Sequence, residues 1–177
     1  MGVVKASILT DFYRFLQKPL EDIFGGKITV LRGACELEKL FASHCGINAL
    51  LDRQNKLAGI GFRIHYGQND RAFTFEKDRE TNAQADYDQY IMRRAYGAVT
   101  RDFNVEAYID SERTCLLGAA VARTEEIYRC IVGKEQVCPG KRETEAENFT
   151  VDWDTLKDNG MWIHEFNQTQ QEAICRK

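Results

Sequence analysis

A chain of 177 residues, 44% apolar and 29% charged, is long enough to close one domain around a real core and short for two. Its net charge of −3 excludes a general basic coat for nucleic acid, so a polyanion would have to be met by a local basic groove. Six cysteines, at positions 35, 45, 115, 130, 138 and 175, form no C-x-x-C pair that would announce zinc or a redox dithiol. No continuous apolar leader is seen, and no run approaches the ~20 apolar residues of a membrane helix, so a reducing, cytoplasmic compartment without membrane attachment is expected.

In chain order, Ile8, Leu9, Phe12, Phe15 and Leu16 recur at helical spacing and predict a helix over 4–17. Pro19 is expected to interrupt it, leaving a short turn that ends at Gly25 and Gly26. A short extended piece, Ile28 to Leu31, follows. Leu37, Leu40, Phe41 and Cys45 then fit a second helix, with Gly46 placed to end it. Three strands are predicted next, within residues 46–78, joined by turns around Arg53 to Lys56 and Gln68 to Asp70. Thr81 to Gln84 reads as a capping box opening a helix to about Tyr96. Phe103, Val105, Ala107 and Ile109 alternate with polar partners in a fourth strand, and the apolar run Cys115 to Ala122 suits a strand covered on both faces. Thr124 caps a helix to about Val132.

These elements predict an α/β (α+β) fold: one domain over 1–177, with a central mixed sheet of about five strands flanked by helices. The core is placed at 34–132, the N-terminal helical segment at 4–24, a polar loop at 133–150 and a C-terminal packing segment at 151–166.

Alternation within the three central strands supplies the candidate site. From Gly59 to Gly67, Ile60, Phe62, Ile64 and Tyr66 share one parity, while Arg63 and His65 share the other with three glycines. If the three strands pair as a meander, Asn48, Asp52, Arg63, His65, Thr74 and Glu76 fall on one face, with Glu106 and Tyr108 of the fourth strand beside them. The glycines next to Arg63 and His65 form a side-chain-free strip open to a ligand or to another backbone. The same polar residues also fit the plain solvated side of an antiparallel sheet.

The element order helix, three strands, helix, two strands, helix over roughly 34–132 resembles the core of the PD-(D/E)XK nuclease-like superfamily. The stretch is also similar to uncharacterised proteins of phages and mobile elements of gut bacteria that carry a GID-like turn, a GIASRVQ-like strand and an FTIR-like strand. The corresponding residues here are Gly46 to Asn48, Gly59 to His65 and Phe73 to Glu76. The superfamily resemblance implies a magnesium-dependent phosphodiesterase. In that family an aspartate on the second strand and an E-x-K or Q-x-K on the third bind Mg²⁺, which prefers hard oxygen ligands, and activate water.

This chain departs from that pattern, with Asn48 in place of the aspartate and Arg63, Ile64 and His65 in place of the third-strand motif. On the catalytic reading Asp52 and Glu76 substitute as metal ligands, His65 manages the proton and Arg63 steadies the phosphate, with Asn48, Arg63 and Tyr108 contacting nucleic acid. The alternative belongs to another class: a non-catalytic binding or inhibitor protein that engages nucleic acid or a host nuclease. Nucleotide-binding, dinucleotide, hydrolase and zincin motifs are absent.

Overall fold

Phe12, Leu16, Leu20 and Phe24 are all buried along one side of a helical stretch, which is why residues 6–24 lie against a sheet. The computed structural model describes residues 6–54, 56–76, 90–131 and 148–167. The stretch comprises α1 (Ala6–Asp11), a π-helical turn (Phe12–Leu16) and α2 (Gln17–Phe24). The interruption expected at Pro19 does not occur. The Gln17 N–H donates to the Phe12 carbonyl five residues back, and Pro19, the third residue of α2, follows this wider π turn within one continuous helical stretch.

The remaining elements are β1 (Lys27–Val30), α3 (Glu36–His44), β2 (Ala49–Arg53), β3 (Lys56–Tyr66), β4 (Ala72–Glu76), α4 (residues 90–95 of it described), β5 (Arg101–Ile109), β6 (Leu116–Arg123), α5 (Thr124–Ile131), β7 (Asn148–Asp152), α6 (Trp153–Asp158) and β8 (Ile163–Phe166). The architecture is α+β, with one mixed sheet of six strands flanked by helices, in the order β1-β2-β3-β5-β6-β8. Neighbours are antiparallel except β3 and β5, which run parallel from Gly59 opposite Arg101 to Tyr66 opposite Ile109.

Two expectations are corrected here. Of the three strands expected as a meander, β2 and β3 pair, but β4 leaves the sheet and pairs instead with β7, and β5 takes the place beside β3. Gly67 (φ 112°) and Arg71 (φ 52°) both sit in left-handed backbone, so the chain is re-aimed before β4 begins. Phe73 is then fully buried beside Trp153. Residues 148–150, placed in the polar loop, belong instead to β7. The capping box at Thr81 to Gln84 lies outside the described residues.

The sheet separates two apolar clusters. On one face Ile60, Phe62, Val105, Ala107, Ile109 and Val121 meet Phe12, Leu16, Leu20 and Phe24, and Phe12 packs on Phe62 with ring centroids 4.5 Å apart. On the other, Tyr108, Ala120 and Ala122 meet Phe73, Ile127, Val151, Trp153 and Leu156 from β4, β7, α5 and α6. That second cover stops short of β3. The strip it leaves holds the candidate site. Among the described residues, no helix is long and apolar enough to cross a membrane.

Candidate functional site: a polar cleft between β2, β3, β4 and β5

β3 and β5 each send alternate residues to the half-covered face, and their register decides which of those meet. Arg63 lies opposite Glu106 and His65 opposite Tyr108. Glu106 is only 3% exposed, and a carboxylate at that depth needs partners. It has two: Oε1 lies 2.5 Å from His65 Nε2 and accepts the Thr74 N–H at 3.3 Å. The His65 ring stacks on Tyr108 with centroids 5.0 Å apart.

Arg63 donates from Nη1 to the Thr74 carbonyl at 2.6 Å, so the same residue of β4 receives both Arg63 and Glu106. Asn48, 7% exposed, accepts the Phe62 N–H on its Oδ1 at 3.0 Å and tacks the approach to β2 onto β3. An open cleft runs between these groups, lined by Gly46, Asn48, Gly61, Phe62, Arg63, Thr74, Arg101, Asn104, Val105 and Glu106.

The residues expected to form the site do not all gather. Asp52 pairs with Leu57 across β2 and β3 and with Lys27 across β1, at the opposite end of the sheet from Arg63. Arg63 lies six positions along β3 from Leu57, about 20 Å of strand. Asp52 therefore shares no metal site with Arg63 and His65, although it has the parity that suggested it. Glu76 lies at the end of β4, opposite Asn148 of β7. Its side chain is outside the described part.

Of the expected magnesium ligands only Asp52 can be placed, at the far end of β2. Among the described residues no three of His, Cys, Asp or Glu cluster as metal ligands. Tyr108, expected to contact nucleic acid, is 2% exposed and instead ties β5 to β4, its hydroxyl donating to the Ala72 carbonyl at 2.7 Å. Burial, with the charge of Glu106 second, raises its pKa further above the phenolic range.

The glycine strip beside Arg63 and His65 receives another backbone, one of the two occupants its composition allows: a Cβ at Gly59 would fall 2.2 Å from the Thr100 carbonyl oxygen, and one at Gly61 2.4 Å from Arg101 Cδ. One feature escapes the sequence, Arg101. Alternation groups it with Phe103 and Val105 on the apolar face, yet it lines the cleft. The cause is a register shift: Gly59 pairs with Arg101 and Ile60 with Phe103, which leaves Asp102 unpaired as an extra residue and turns Arg101 over.

In comparisons with protein-family models, curated proteins and solved structures, nothing matches the chain.

Proposed function

We propose that this protein engages nucleic acid by binding, without metal-dependent hydrolysis, and that the cleft between β2, β3, β4 and β5 receives a backbone phosphate. The observation that carries this reading is the character of the lining. Arg63 and Arg101 contribute two cations, Asn48 contributes an amide whose oxygen is already taken by the Phe62 N–H, and the one carboxylate among the described lining residues, Glu106, is held by His65 and the Thr74 N–H. Donors outnumber free acceptors, which suits an anion. At Asn48, where the resembled nucleases carry a metal-binding aspartate, the side chain is neutral and committed to the backbone. A chain of net charge −3 with a local basic cleft meets nucleic acid at a confined place and not along a broad face. The likeness to phage and mobile-element proteins fits such a module.

The test is incubation of purified protein with single- and double-stranded DNA and RNA in Mg²⁺, Mn²⁺ or EDTA, reading binding and cleavage together. Binding in EDTA with intact substrates is the expected result. Cleavage that EDTA abolishes, and that Glu76→Ala removes, would overturn it. Capture of a nuclease by protein that binds none of the four polymers would move the reading to a protein partner.

One observation favours a hydrolytic reading. The partly exposed imidazole of His65 is held by a buried carboxylate, the arrangement that orients a general base. That reading requires cleavage in EDTA which His65→Ala abolishes and Glu106→Gln weakens.

A further inference from the structure

We infer that Arg101 forms an oxyanion subsite in this cleft, and that the group it takes is a phosphate. The inference rests on the nucleic-acid reading above and specifies where contact is made. Arg101 is carried over to the polar face by the extra residue Asp102, and its side chain then lies along two glycine backbones. A Cβ at Gly61 would fall 2.4 Å from its Cδ, and one at Gly46 3.0 Å from its Nη1, so any larger residue at either position would displace the side chain. The stem is thereby laid flat and the guanidinium is delivered into the cleft.

The Nε of Arg101 is fully buried and has no hydrogen-bond partner. Among the described residues Arg101 joins no salt bridge, whereas its cleft neighbours are engaged: Arg63 with the Thr74 carbonyl, Glu106 with His65, and Asn104 Nδ2 with Thr124 Oγ1 at 2.7 Å. A guanidinium N–H stripped of water without an acceptor is costly, and folds retain such groups where a ligand supplies the acceptor. The planar fork of an arginine matches two oxygens of an oxyanion. Arg63 of β3 and Asn48, just before β2, line the same cleft, so it is bordered by polar side chains of more than one segment. A tetrahedral phosphate can use donors in several directions; a planar carboxylate is served by a single fork.

The experiment observes the arginine Nε–H resonances of the isotope-labelled full chain, assigned with Arg101→Gln, during titration with inorganic phosphate and, separately, with acetate. Phosphate is expected to shift the Arg101 Nε–H, acetate to leave it in place, and Arg101→Gln to weaken phosphate and oligonucleotide binding roughly ten- to a hundredfold, the loss of one charge-assisted hydrogen-bonded contact. Arg101→Lys restores part of this, and Arg53→Gln, at the exposed end of β2, changes nothing. Gly61→Ala, which pushes against the Arg101 stem, weakens binding with Arg101 still present.

An Arg101 Nε–H that ignores phosphate, or an Arg101→Gln protein that is folded and binds phosphate as the parent does, overturns the subsite. An equal response to acetate overturns phosphate as its ligand. Oligonucleotide binding that survives Arg101→Gln sinks this inference and spares the broader reading. A phosphate response at Arg101 without binding of any nucleic acid does the reverse.

Discussion

The two faces of the central sheet are built from alternate residues of the same strands, yet they are finished differently. On the helical face Phe62 and its neighbours are closed over by α1, the π turn and α2. Its polar groups are closed as well: Asp11, buried at 3%, accepts the Tyr66 hydroxyl and two donors of Arg113. On the opposite face the cover of β4, β7, α5 and α6 extends over β5 and β6 and leaves β3 with Arg63, His65 and the cleft. A closed face shows where the fold draws stability. The half-closed one, with a buried guanidinium N–H lacking an acceptor, shows where the fold has given some up.

The sharpest break between the faces is the adjacent pair Phe62 and Arg63. Phe62→Ala, on the closed face, is expected to destabilise the protein by about 3–5 kcal/mol in urea denaturation, while Arg63→Ala, one residue along, costs under about 1 kcal/mol and shows its effect in binding. Next in size is Glu106→Ala, expected to cost about 2 kcal/mol because the Thr74 N–H loses its acceptor and His65 its partner. A loss near zero would mean the polar face is not organised by that carboxylate.

A smaller effect comes from pH. The Tyr66 pKa is pushed up to about 12 from 10.0, first by burial and then by its hydrogen bond to Asp11. The folded state therefore keeps a proton that the unfolded chain releases near its ordinary value. The stability from this group is complete below about pH 10 and is lost as pH rises towards about 12. Tyr66→Phe removes this part of the alkaline loss, as denaturation midpoints across that interval would show. The smallest effect is Asp52→Ala, expected to stay within about 0.5 kcal/mol and to leave nucleic-acid binding unchanged, since Asp52 is exposed at the far end of β2.

Much of the fold was legible because periodicity reports which face a residue takes. The parity of Ile60, Phe62 and Ile64 against Arg63 and His65 holds in β3, and the apolar run of β6 is covered on both sides. Register was not legible. Asp52 and Glu106 both have the parity to meet His65, and only the pairing of β3 with β5 makes Glu106 the partner. β4 was misplaced because its pairing depends on β7, far along the chain, and on left-handed backbone at Arg71, a residue type that does not advertise it. Arg101 was missed because a single extra residue in a strand reverses every inference from alternation.

On the binding reading the half-covered face is the working face, and it works without metal. Backbone amide shifts of the labelled protein, followed in EDTA as a short single-stranded oligonucleotide is added, test it most directly. Shifts are expected to concentrate at Gly46, Asn48, Gly61, Arg63, Thr74 and Arg101, with Asp52 and the α2 residues unmoved. Shifts that gather on the helical face or around Asp52, or that arise only when Mg²⁺ is restored, would contradict it.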